Sequence, residues 1–160
     1  MPKYLISAGL LCFITALLIL VFYSKDSVVH VDELVHANCP LASRSCHINL
    51  GKNFNLEISL SPNGFPAMEP LALQLKSSHI NFQKIKHFSA VFAGRDMEMG
   101  KHSMILNHPV GEKTLLAKGM IPLCPMDPKM VWRLTIQFEY QNKVTSLEFD
   151  VPSNIHSNAG

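Results

Sequence analysis

Between residues 131 and 151 the chain alternates apolar and polar side chains with a period of two. Trp132, Leu134, Ile136, Phe138 and Tyr140 are interleaved with Arg133, Thr135, Gln137 and Glu139, and Leu147, Phe149 and Val151 return in alternation after Gln141-Asn142-Lys143. A helix gathers apolar residues three and four apart, so this pattern buries one face only as an extended strand. The segment therefore predicts a β-hairpin, with Trp132 buried near the start of its first strand. The same period recurs upstream. Phe54, Leu56, Ile58 and Leu60 form one set, and Leu71, Leu73 and Leu75 another, separated by SPNGFPAMEP, whose prolines and glycine punctuate the chain. Further strands are expected at about residues 85–93, 102–107 and 114–121. Six to eight short strands and no soluble helix predict an all-β domain, an antiparallel immunoglobulin-like β-sandwich.

Before the first alternation the composition changes. Residues 5–23, LISAGLLCFITALLILVFY, carry no charge across 19 positions, and a helix of that length spans about 28 Å, close to a bilayer core of about 30 Å. A cleaved signal peptide has a shorter apolar core and a small-residue exit, whereas this segment ends Phe22-Tyr23-Ser24-Lys25. A lipoprotein signal needs a small residue before its cysteine, and Leu11 precedes Cys12. An uncleaved transmembrane signal anchor is the expectation. Lys3 and the α-amino group precede the span and Lys25 follows it, which orients the N-terminus inward by the positive-inside rule. The expected location is the bacterial inner membrane, single-pass through residues 5–23, with the C-terminal domain in the periplasm. The expected organisation is a cytoplasmic tip and anchor over 1–23, a juxtamembrane spacer with its cysteine segment over 24–49, the sandwich over 50–152, and a flexible tail over 153–160. Val28, Val31 and Val35 recur at helical spacing, so the spacer is expected to extend the membrane helix by a turn or two.

Chemistry-bearing motifs are sparse. The sequence has no C-x-x-C, G-x-S-x-G, H-E-x-x-H, phosphate loop or dinucleotide fingerprint, and no enzymatic activity is expected. Beyond the anchor, thirteen Lys and Arg face twelve Asp and Glu, a balance that offers no basic field for nucleic acid. Cys39 and Cys46, in NCPLASRSC, are candidates for a short disulfide in an oxidising compartment, leaving Cys124 as a ligand or a free thiol. A bridge from Cys124 to either of the others, and three reduced thiols, are the alternatives.

Soft donors are concentrated. Six of the eight methionines fall in residues 94–108, GRDMEMGKHSMILNH, and 119–130, GMIPLCPMDPKM, together with His102, His108 and Cys124. Thioether, thiolate and imidazole suit Cu(I) better than they suit oxygen-seeking cations. In extended chain Met97 pairs with Met99, and His102, Met104 and His108 fall in one row, with Gly100 able to kink the two rows together. Met97 and Met99 alternate with Arg95, Asp96, Glu98 and Lys101, the composition of an exposed turn. The candidate metal ligands are Met97, Met99, His102, Met104, Cys124, Met126 and Met130. The competing interpretation is core packing, for which flexible Met is well suited.

The single N-terminal span, the Cys39-to-Cys46 segment, the PAMEPL run at residues 66–71, FAGRDMEMG and GMIPLCPMDPKMVW together resemble a group of small proteobacterial single-span periplasmic proteins. More distantly, the chain is similar to FixH-like and YtkA-like domains associated with cytochrome oxidase and copper handling. That resemblance implies a role in respiratory metal supply or oxidase assembly, with respiratory-oxidase or copper-delivery proteins as partners, and singles out Met97, Met99, Cys124 and Met126. The H-x-x-M and C-P-x-x-x-C motifs of the known oxidase copper chaperones are absent. Three functions compete: a membrane-anchored Cu(I)-binding or oxidase-assembly factor, a metal-free interaction module of a membrane complex, and a thiol redox protein built on Cys39, Cys46 and Cys124.

Overall fold

The computed structural model describes Thr15 and residues 31–50, 54–107, 111–127 and 129–153. The chain divides into two compact units, Met1–His30 and Val31–Gly160. The expected anchor lies outside the described residues apart from Thr15, as do Cys12, His30 and His108. Among the described residues no helix is long and apolar enough to cross a membrane.

The second unit is all-β. Its strands are β1 (Glu33–His36), β2 (Cys46–Asn49), β3 (Asn55–Ser61), β4 (Leu71–Lys76), β5 (Lys86–Gly94), β6 (Lys101–Ser103), β7 (Ile105–Asn107), β8 (Thr114–Gly119), β9 (Val131–Tyr140) and β10 (Lys143–Pro152). They form two five-stranded sheets, β1-β10-β9-β5-β6 and β2-β3-β4-β8-β7, whose inner faces share one core. The period-two residues build that core. Leu56, Ile58 and Leu60 of β3 and Leu71, Leu73 and Leu75 of β4 are buried with Trp132, Leu134, Ile136 and Phe138 of β9 and Leu147, Phe149 and Val151 of β10. Each such side chain contributes about 1.5–3 kcal/mol by leaving water. Phe65 and Phe92 meet in the same core at a centroid distance of 5.2 Å.

The β9–β10 hairpin closes through Gln141 and Asn142, with φ of 53° and 60°, the paired left-handed conformations of a type I′ turn that matches strand twist.

Three features differ from the sequence expectation. The spacer is not helical where it is described: Glu33–His36 is a strand, parallel to β10 from Glu33 opposite Thr145 to His36 opposite Glu148. The first sheet is therefore mixed rather than wholly antiparallel. The Asp32 amide donates to the Val144 carbonyl at 2.9 Å and the Ala37 amide to the Glu148 carbonyl at 2.9 Å, so the spacer covers an otherwise unpaired β10 edge. The sandwich thus takes in two strands upstream of residue 50. Finally, residues 102–107 are two strands rather than one. β6 pairs with β5 and β7 with β8, and the chain changes sheets at Met104, whose amide donates to the Ala90 carbonyl at 2.8 Å.

A methionine-rich end of the sandwich

Register assembles the candidate residues at one end. Gly94 closes β5 opposite Trp132, Gly119 closes β8 opposite Leu71, and Pro152 closes β10 opposite Val131. The 94–101 turn and the 119–131 connection therefore emerge side by side. They also touch. The Arg95 amide donates to the Val131 carbonyl at 3.0 Å, and a Cβ on Gly94 would overlap both the Met97 carbonyl oxygen and the Met130 methyl. Glycine is required there by close approach. Gly100, with φ of 75°, supplies the reversal before β6.

The seven predicted ligands divide by burial. Met104 and Met130 are core residues, the first packed over Gly119 and the second over Gly94. Ser153 fixes the Met130 backbone, its amide and hydroxyl both donating to the Met130 carbonyl at 3.0 and 2.9 Å. Met99 is half-buried against the core. Cys124 is a buried free thiol, while Cys39 and Cys46 are joined by a disulfide. His102 stands edge-on to Trp132 at 5.5 Å, and its Nε2 lies 3.0 Å from the Met99 carbonyl oxygen. A carbonyl only accepts, so that bond puts a ring proton on Nε2. Met97 and Met126 are exposed, at 42% and 84%. The chain changes sheets at Met104, just after the β6 strand that carries His102, and His108, the third member of the predicted row, lies outside the described residues.

Two exposed methionines lie outside the predicted set. Met68 and Met120 are 60% and 49% exposed, and the Met68 amide donates to the Ile121 carbonyl at 2.9 Å, tying the 61–70 connection to the start of the 119–131 connection. Of seven exposed large apolar side chains among the described residues, Met68, Met97, Met120, Leu123 and Met126 all belong to this end. The signal was a thioether placed in turn composition.

The charged residues of the 94–100 turn are satisfied by one another and by the sheet. Arg95 donates from Nε and a terminal nitrogen to Asp96 at 2.7–3.0 Å and reaches Asp150 at 3.5 Å. Arg133 donates to Asp150 at 3.1 Å, and His36 lies 3.1 Å from Glu148. The bond from Arg95 holds the Asp96 carboxyl below its ordinary range, and the same bond raises the Arg95 guanidinium. Arg133 is raised by its bond to Asp150. His36, Arg133, Glu148 and Asp150 of this ladder line a recess of about 390 Å³ beside Cys39 and Pro152. Every carboxylate in the ladder already faces a cation, so hard cations find no free oxygen cluster here. Among the described residues no group of three or more His, Cys, Asp and Glu converges as a metal site. A metal at this end would have to be held largely by thioethers.

The two-sheet, all-β architecture defines the class. The chain matches no protein-family model and no curated protein sequence. Among solved structures it is similar to a DUF4785 family protein from Legionella pneumophila subsp. pneumophila str. Philadelphia 1, at 12% identity and a TM-score of 0.45, with 63% of this chain covered. The match spans 28% of that protein's length.

Proposed function

We propose that the chain is a membrane-anchored periplasmic protein whose immunoglobulin-like sandwich binds Cu(I) as cargo at its methionine-rich end, in the service of copper delivery or respiratory-oxidase assembly. The supporting observation is the junction at Gly94, where the Met130 methyl of one soft-donor segment packs over the start of the other and the Arg95 amide bonds the Val131 carbonyl. Soft sulfur donors at a surface fit a monovalent copper ion that is acquired and released, because thioethers select Cu(I) without competing for protons. Met97 and Met126 offer exposed thioethers, while Met104 and Met130 shape the site from the core. The test is a competition titration of the full chain with Cu(I) and a weak chromophoric chelator under reducing conditions. One ion retained per chain supports the proposal, and complete loss to the chelator refutes it.

A second reading is favoured by the clustering of exposed apolar side chains at this end. Adaptable Met-rich surfaces are used as protein contacts. On that reading the end is a metal-free docking surface, and the titration gives no binding.

A further inference from the structure

We infer that Met68 and Met120 form a solvent-facing thioether site for a soft monovalent d10 cation, Cu(I) or Ag(I), at the mouth of the sandwich. The inference rests on the proposed role in soft-metal handling and revises its ligand set. Neither side chain is needed to fill the core: they are 60% and 49% exposed, whereas Met104 and Met130 are buried and already packed against glycines. A buried thioether is surrounded by partners it would have to leave. An exposed one is available at once.

Backbone geometry brings the two together. The antiparallel pairing of β4 with β8 runs to Leu71 opposite Gly119, and the bond from the Met68 amide to the Ile121 carbonyl continues the association past the sheet. Met68 thus bonds the residue that follows Met120, which places the two methionines on adjacent segments just beyond the end of the sheet. Met68 is held at a φ of 63°, a left-handed conformation disfavoured for a residue with a Cβ, and such positions concentrate where function requires them. Pro66 and Pro70 border one connection and Pro122 and Pro125 lie in the other. Their fixed φ values limit the conformational freedom lost when a ligand is gripped.

A thioether carries no competing proton, whereas thiolate and imidazole ligands must lose theirs before binding. A methionine site therefore predicts affinity that is flat between about pH 5 and pH 7, while a site dominated by a thiolate or an imidazole weakens on acidification.

The full-length chain is titrated with Ag(I), and with Cu(I) under reducing conditions, against a competing chelator. Three variants are compared with the parent: Met68→Leu with Met120→Leu, the single Met120→Leu, and Cys124→Ser. Leucine keeps the apolar volume at exposed positions, so the thermal midpoint should not move. The double variant should bind about tenfold or more weakly, the least that losing a supporting ligand contact typically costs, and the single variant should fall between. Cys124→Ser should retain parental affinity and the flat pH profile. Parental binding by the methionine variants overturns the inference. So does loss on Cys124→Ser alone, which leaves the Cu(I) proposal standing with a thiolate site. Failure of the parent chain to bind either ion overturns both.

Discussion

Gly94→Ala perturbs the junction on which the candidate site is built. The glycine is not in the left-handed region, since the positive-φ glycines are Gly64 and Gly100, so alanine can adopt the backbone and should gain about 0.4–1 kcal/mol by restricting the unfolded chain. Against that gain stands overlap with the Met97 carbonyl oxygen and the Met130 methyl, with the Met97 carbonyl carbon a further 3.2 Å contact. The Met130 methyl ends a flexible side chain and can swing aside. The Met97 carbonyl is backbone and yields only if the turn moves, an overpacking cost of about 1–3 kcal/mol. The net expectation is destabilisation of about 1–2 kcal/mol, read as the urea midpoint of the full chain at unchanged slope. Trimming the methyl should not restore stability, because Met130→Ala in the same background leaves the carbonyl clash and adds a cavity. A loss below about 0.5 kcal/mol, or recovery on Met130→Ala, would show that the turn backbone accommodates a Cβ at residue 94.

Trp132→Ala should cost about 3–5 kcal/mol by emptying a core position at the start of β9, and a midpoint change under about 1 kcal/mol would place the indole outside the packed face. Removing the disulfide with Cys39→Ala and Cys46→Ala should cost about 2.5 kcal/mol by the chain-entropy relation for a loop of this sequence separation of 7; equal stability of the parent chain with and without a reductant would contradict that. An alkaline phosphatase fused after Gly160 should be active, since only an exported fusion acquires its disulfides, and activity of a cytoplasmic reporter there would reverse the orientation expected from residues 1–25.

The legible parts of the fold were those where one face is buried and the other wet. β3, β4, β9 and β10 announce themselves because Leu56, Leu73, Leu134 and Phe149 alternate with polar neighbours for the length of a strand. β1 does not. Its four residues bury almost nothing, and it is extended because its amides and carbonyls pair with β10, a long-range effect that the valine spacing around it cannot report. The split at Met104 was hidden for a related reason: alternation continues smoothly through a change of sheet, since both strands still point alternate residues inward.

The candidate site was legible as a concentration of soft donors but not as geometry. Residues 94–108 and 119–130 displayed their soft donors plainly, and the register brings the two segments together. Which thioethers face water depends on the positions of Gly94 and Gly119 in the sheets, where the absence of a Cβ draws Met130 and Met104 inward. Met68 lay in a proline-rich turn with no periodicity to place it. Its link to residue 121 is a single backbone bond that no spacing predicts.

The most direct test of copper binding at this end is X-ray absorption at the copper K-edge on the full-length chain loaded with one equivalent of Cu(I). A first shell of sulfur scatterers, lost together with the bound copper when the exposed methionines are replaced by leucine, is the predicted result. A shell of nitrogen and oxygen, or a sulfur shell indifferent to those replacements, would contradict it.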